Sequence, residues 1–244
     1  MSLYHGFAEI YDELMKDMPH NQWCDYIIKS LQEHCQQGTP TVLDLACGTG
    51  TITLGLAKAG FDMIGVDIST DMLAIAQQKA YDLNQQILFL VQDMRELDLY
   101  GTVDAAVCVC DGINYMLEER DLLKVFNNIK TFLNPGGLFI FDMNTEYKFK
   151  ELLGTRTFEH NISSGLSYEL KNKYDTATKI NEYHVVFQRK GEAPFVERHK
   201  QRAYSIGRVI ELLAKVGFTA KAYDGYSINK PKTTTSRAVF VAMA

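Results

Sequence analysis

The sequence predicts an α/β fold: a seven-stranded, mostly parallel sheet with helices on both faces and an antiparallel β subdomain inserted late in the chain. Three observations point there. Between residues 41 and 143 short apolar runs alternate with helical stretches, the pattern of a parallel sheet covered on two sides. A glycine turn, "DLACGTG" (44–50), follows the first of those runs. Helical periodicity then disappears from residues 155–204, where apolar and polar residues alternate instead.

The elements follow in order. Residues 8–36 read as helix, broken near Pro19, with apolar spacing at Trp23, Tyr26, Ile27 and Leu31. Strands are expected at "TVLDLA" (41–46), "FDMIGVD" (61–67), "QILFLVQ" (86–92) and "VDAAVCVC" (103–110), with helices starting near Thr51, Thr70 and Glu118. A fifth strand, "LFIFDM" (138–143), follows the turn "NPGG" at Asn134–Gly137. "RTFEHNI", "LSYELKNKY", "KINEYHVVFQRK" and "FVERHKQRAYS" read as antiparallel strands, and "GEAP" (Gly191–Pro194) turns between two of them. A last helix over Ser205–Val216 stops at Gly217, and two strands close the chain near 218–224 and 237–243. The division expected is 1–150 with 205–244 as the main domain, capped by an N-terminal helical stretch over 1–38, and 151–204 as the inserted subdomain.

Composition narrows the function. Hydrophobic residues at 46% and charged residues at 23% describe an ordinary globular chain of 244 residues. A net charge of -5 lacks the basic excess of most nucleic-acid binders. The first residues have no basic stretch leading into an apolar core, and no apolar run approaches the ~18 residues of a membrane span. Five cysteines, Cys24, Cys35, Cys47, Cys108 and Cys110, fit no zinc spacing. Cys108 and Cys110 read as small core residues on one face of a buried strand. A cytoplasmic protein with reduced thiols and no metal is the expectation.

In "DLACGTG", Gly48 and Gly50 permit a tight turn and close approach of a ligand to the backbone. Asp67 closes the second strand, where a carboxylate accepts hydrogen bonds from both hydroxyls of an unphosphorylated ribose. A dinucleotide fits poorly. Its G-x-G-x-x-G fingerprint would fall on Ala46, Gly48 and Thr51, and Asp44 would repel a pyrophosphate. A ligand with a cationic amino-acid moiety suits Asp44 better, although Asp44 can equally orient the amides of the turn.

"VLDLACGTG", "VDIS" with "DML" (Asp71–Leu73), "QDMREL" (Gln92–Leu97) and "LNPGG" together resemble the class I S-adenosylmethionine-dependent methyltransferases. The series covers about residues 40–143, and it implies a Rossmann-like sheet. "FAEIYDELM" and the late β insertion look like a small-molecule branch similar to the amino-sugar N,N-dimethyltransferases and, more distantly, to glycine N-methyltransferase. The resemblance implies S-adenosyl-L-methionine as cofactor and a role for each matching residue. The backbone around Ala46 and Gly48 would hold the methionine part, Asp67 the ribose, and Ile68 one face of the adenine. Asp93 would accept from the adenine amino group, and the Met94 amide would donate to the ring. Tyr11 would close over the ligand, with Met72 and Cys110 beside it; Met72 also reads as core. Independently, a sulfonium is a cation, favoured near Asp44 and aromatic faces.

Methyl transfer is an in-line displacement, for which alignment alone can supply roughly 7–11 kcal/mol. A base is needed only where the nucleophile arrives protonated. "CDGINY" (Cys110–Tyr115) ends the fourth strand, at the edge where such sheets bind ligands. There Asp111 could hold or deprotonate an ammonium, or simply cap a turn, and Tyr115 could wall the pocket. The absence of prolines in "DGINY" argues against a flipped DNA base. Of His160, His184 and His199 in the insertion, His199 is the preferred partner of the substrate; a structural or surface role is the alternative for each. Tyr168, Tyr174, Tyr183 and Tyr204 read as packing, within the subdomain or at a homo-oligomer interface through it, with a substrate cage as the alternative. The expected acceptor is a nitrogen or oxygen of a small metabolite. An RNA or protein acceptor, a non-catalytic cofactor-binding module and a nucleotide-dependent dehydrogenase are the alternatives.

Overall fold

Strands apolar on both faces need cover on both, and the computed structural model shows how the chain provides it. It describes residues 7–34, 38–163 and 165–244; Cys35 lies outside them. Two helices come first, α1 (Phe7–Leu14) and α2 (His20–His34). Then β1 (Thr41–Leu45), α3 (Thr51–Lys58), β2 (Asp62–Asp67), α4 (Thr70–Asp82), β3 (Leu88–Val91), β4 (Val103–Cys108), α5 (Glu119–Phe132) and β5 (Leu133–Asn144) alternate as the apolar pattern dictates. The insertion is β6 (Thr157–Ser163), β7 (Leu166–Asp175), β8 (Ile180–Arg189) and β9 (Phe195–Arg202). The chain then returns through α6 (Ile206–Lys215), β10 (Thr219–Asp224) and β11 (Arg237–Met243).

The large sheet runs β10-β11-β5-β4-β1-β2-β3. β1 to β5 are mutually parallel, and β11 is antiparallel to both β5 and β10. Period-two alternation sorts its side chains into two cores. Leu43, Leu45, Ala106, Phe139, Phe141 and Phe240 face α5 and α6. Val42, Ala105, Val107, Leu138, Ile140 and Val239 face α2 and α3. Local signals set the helix ends: Ser69 Oγ accepts from the Met72 amide at 3.3 Å, Ser205 Oγ accepts from the Arg208 amide at 3.2 Å, and Gly217 leaves α6 with φ 91°. Among the described residues no helix is long and apolar enough to cross a membrane.

Three expectations of detail change. β4 ends at Cys108 rather than at residue 110. Cys110 and Asp111 take left-handed backbone, φ 63° and 57°, so Cys110 shares no strand face with Cys108. The run "NPGG" does not stand before β5 but bulges within it: Leu133 pairs with Val103 and pairing resumes at Leu138 with Ala105, with Gly136 at φ 77° in the bulge. A wide helical turn, Lys148–Leu153, follows β5 where the sequence pattern suggested none.

The inserted strands form a separate antiparallel sheet, β6-β7-β8-β9. Its register lines up side chains in cross-strand rows on one face: Tyr174–Asn181–Gln201, then Asn172–Tyr183–His199, then Tyr168–Phe187–Phe195. The last row packs with Phe7, Ile10 and Met72, tying α1, α4 and the insertion into a third core. The other face carries charge, including the Lys171–Glu169 and Lys200–Glu182 pairs.

Candidate active site

The carboxyl ends of the parallel strands and the inner face of the inserted sheet enclose a cavity of about 640 Å³. That is within the ~300–1,000 Å³ typical of small-ligand sites. Twelve of the thirteen residues singled out in the sequence line it. Ala46 and Gly48 leave β1 with φ 53° and 55°. The Gly48 amide donates to Asp67 Oδ2 and the Ser69 amide to Asp67 Oδ1, both at 2.8 Å. Each oxygen of Asp67 thus keeps acceptor capacity toward the cavity. Burial raises its pKa, and the two amides oppose that shift. Ile68 is 59% exposed, an apolar side chain left open on the cavity wall. Met72 is both wall and core, as both readings required.

Asp93 lines the same end, but Arg95 grips it. Arg95 Nε stands 2.9 and 3.0 Å from the two carboxylate oxygens, Nη2 contacts Oδ2, and the Arg95 amide donates to Oδ1. These bonds hold the Asp93 carboxyl below the usual carboxylate range. Met94 lines the cavity beside it. Tyr11, on α1, closes the opposite side and lies 3.9 Å from where a Cβ on Gly48 would stand. Its hydroxyl is kept protonated, chiefly by burial and then by the negative groups around it.

Asp44 is the exception. It is 1% exposed and lines a recess of about 30 Å³ behind the glycine turn rather than the main cavity. Its Oδ2 accepts from Thr53 Oγ1 at 2.6 Å, and burial pushes its pKa up to about 7.

At the acceptor end, Tyr115 Oη lies 3.0 Å from His199 Nδ1 and 3.0 Å from Tyr183 Oη. His199 is 7% exposed. Burial lowers its pKa to about 4, against a smaller opposite pull from Asp111, so the ring is neutral at neutral pH. His160 instead stacks on Tyr168 at an exposed position, and His184 pairs with Arg198 across β8 and β9, away from the cavity. Of the four tyrosines read as packing, Tyr168 and Tyr183 line the cavity. Tyr174 stacks on Phe149, and Tyr204 donates to the Met116 carbonyl in the core.

Asp111 does not cap the turn that it starts. Its Oδ1 accepts from Arg237 Nη2 at 2.8 Å and its Oδ2 from Gln201 Nε2 at 2.6 Å. Behind it, fully buried Asp142 accepts from the Asp111 amide at 2.6 Å, from the Cys110 amide at 3.3 Å and from Tyr226 Oη at 2.5 Å. Arg237 Nη1 stands 2.8 Å from Asp142 Oδ1, ion-paired without the alignment of a hydrogen bond. The Arg237 guanidinium also covers the face of Trp23. Sequence reasoning passed over Asp142, Gln201, Arg237 and Lys148. The available signals were an acid inside the apolar run "LFIFDM" and a single arginine opening the last apolar strand.

Known proteins resemble this chain in sequence and fold. A methyltransferase-domain family model matches residues 42–137. The putative methyltransferase YqeM of Bacillus subtilis (strain 168) is 35% identical, over 98% of this chain and 96% of that protein. An S-adenosylmethionine-dependent methyltransferase from Clostridium acetobutylicum ATCC 824 superposes with a TM-score of 0.88 at 30% identity, covering 98% of each chain. The sugar N-methyltransferase KedS8 from Streptoalloteichus sp ATCC 53650 shares the fold, with a TM-score of 0.78 at 19% identity, over 94% of this chain and 89% of that one. A buried carboxylate with acceptor capacity left at Asp67, an open apolar wall at Ile68 and a cavity of this size are compatible with S-adenosylmethionine. On its motif edge, its fold and these likenesses, the chain belongs to the S-adenosylmethionine-dependent methyltransferases.

Proposed function

We propose that this enzyme methylates a nitrogen or oxygen of a small metabolite. The observation that carries the reading is the cavity itself, which the inserted sheet covers on the acceptor side. A space of that size takes a nucleoside ligand and a small acceptor, not the surface of a folded macromolecule. That KedS8, with the same fold, is a sugar N-methyltransferase supports it.

In this reading Asp67 takes the ribose hydroxyls, Ile68 and Met72 flank the adenine, and Asp93 with the Met94 amide reads its edge. The turn at Ala46–Gly48 holds the methionine end under Tyr11 with Cys110 beside it, while Asp44, in the recess on the same turn, supports the turn through Thr53. The bound cofactor supplies an electrophilic methyl on a positively charged sulfur. The chain's own part is to align the acceptor and exclude water, worth roughly 7–11 kcal/mol. Neutral His199, bonded to the Tyr115 hydroxyl, orients the acceptor atom rather than storing its proton, because burial makes it a weak base; that proton is lost to solvent after transfer. Asp111, held by Arg237 and Gln201, orients the acceptor rather than removing its proton.

The test is S-adenosylmethionine carrying a labelled methyl, incubated with the enzyme and a fractionated cell extract. Label is expected among small molecules; label in RNA or protein would overturn the acceptor class. Asp67→Ala should weaken cofactor binding by about 1–3 kcal/mol, the cost of leaving buried polar groups unpaired. Calorimetry showing an unchanged affinity would remove Asp67 from the site.

A further inference from the structure

The polar groups at the acceptor end are not all matched, and the mismatch has a sign. Lys148 opens the helical turn after β5 and lines the cavity. The one hydrogen bond of its ammonium among the described residues is to a neutral atom, Asn144 Oδ1, at 2.8 Å. It forms no ion pair among the described residues, because the carboxylates near it are already engaged. Asp111 is held by Arg237 and Gln201. Asp142 is held by Arg237, Tyr226 and two backbone amides. Burial disfavours the Lys148 ammonium, and the Arg237 charge adds to that; Asp111 and Asp142 only partly offset it. Arg237 is not a rival anion site, since two carboxylates and the face of Trp23 occupy it.

A second observation falls in the same cavity. Asn181 is fully buried and lines it, in the cross-strand row with Gln201. Its Nδ2 reaches Asn172 Oδ1 at 3.3 Å, but its Oδ1 is a buried acceptor with no donor. A buried acceptor without a donor costs about 1–3 kcal/mol, so the site as built asks for an N–H or O–H there.

We propose that the acceptor carries an anionic group, a carboxylate or a phosphate, that Lys148 binds inside the cavity, with Asn181 Oδ1 accepting a hydrogen bond from the same molecule. This rests on the small-metabolite reading above and narrows it to small acids. A neutral acceptor could donate to Asn181 Oδ1 but would leave the ammonium without a counter-charge; an anionic one completes that charge in a site of low dielectric, where such bonds are strongest.

The probes are acetate and inorganic phosphate, titrated into the full-length protein with chloride at matched ionic strength as control. Thermal midpoint and calorimetry are the readouts, with and without S-adenosylhomocysteine. At least one of the two anions should bind the wild type and Lys148→Arg. Lys148→Met, which keeps the stem and removes the charge, should bind it about tenfold more weakly or worse. Binding of acetate alone marks a carboxylate, and of phosphate alone a phosphate. Affinity for S-adenosylhomocysteine should be the same in all three proteins. The idea is overturned if neither anion binds the wild type beyond chloride, or if Lys148→Met responds like the wild type. Failure of the cofactor reading would appear in the S-adenosylhomocysteine arm instead, so the two outcomes are separable.

Discussion

Two buried titratable groups in this molecule pull stability in opposite directions with pH. His199 falls from an ordinary 6.5 to about 4 on folding, so between those values the unfolded chain is protonated and the folded one is not. Stability therefore drops as pH falls through that window, by up to ~3 kcal/mol. Asp44 rises from 3.8 to about 7; there the folded state holds the proton and the unfolded chain does not. Its contribution is present at low pH and is lost as pH rises toward 7, by up to ~4 kcal/mol. The wild-type profile should be nearly flat where the two overlap. Urea unfolding of the cofactor-free protein from about pH 4 to 6.5 would check this. With the wild-type profile subtracted from each variant's, His199→Asn should show stability falling with pH, and Asp44→Asn should show it rising. Parallel profiles for all three proteins would mean that neither group carries the shift.

The first helix behaves as an element on its own terms. α1 turns Phe7, Ala8 and Ile10 inward and carries Tyr11 over the cavity, while Asp12 fastens it to the glycine turn. Asp12 Oδ1 accepts from Thr49 Oγ1 at 2.6 Å, and Oδ2 pairs with Lys79 Nζ at 2.8 Å. The ion pair is partly exposed, so Asp12→Ala should cost only about 1 kcal/mol in global stability. It should, however, free α1 locally: limited proteolysis should cut near residues 7–18 faster, with a weaker hold on S-adenosylmethionine. Unchanged cleavage would show that the apolar packing alone pins the helix. The sequence announced this helix and nearly every other element because periodicity and caps are local signals. "SIGRVIELLAKVG" carries its serine cap, its apolar stripe and its terminal glycine within thirteen residues. What escaped were features set by distant partners. Cys110 reads as strand because it is apolar and follows "VDAAVCV", but two amides turned toward Asp142 bend it into left-handed backbone. "NPGG" reads as a turn before β5, yet pairing of Leu133 with Val103 carries the strand through it.

Across the whole molecule, the cavity residues at the glycine-turn end were legible in the sequence and those at the other end largely were not. Gly48, Asp67 and Asp93 act through their own turn or its neighbour, so short motifs expose them. Lys148, Asn181, Gln201 and Arg237 come from four separate segments that only the register of two sheets brings to one cavity. Two of those segments, the ones that carry Arg237 and Gln201, are tied to Asp142. It receives the turn after β4, Tyr226 and Arg237 of β11, and Arg237 in turn holds Asp111, to which Gln201 of the inserted sheet is bonded. Two substitutions separate the hub from its outermost link. Asp142→Asn leaves the buried guanidinium with one carboxylate and turns an amide toward two backbone donors; it should destabilise the whole chain by about 3–5 kcal/mol, the cost of breaking a buried ion pair from one side. Gln201→Ala removes one hydrogen bond and should cost about 1 kcal/mol. Asn114 still bridges Asn144 and the Arg202 carbonyl, so the inserted sheet stays attached but less firmly. Urea unfolding with residue-resolved hydrogen exchange distinguishes the cases. Asp142→Asn should lower protection in both sheets together, and Gln201→Ala chiefly in β7–β9. If Asp142→Asn loosened only the inserted strands, or if both variants matched the wild type, the Asp142–Arg237 cluster would not be what joins the two halves.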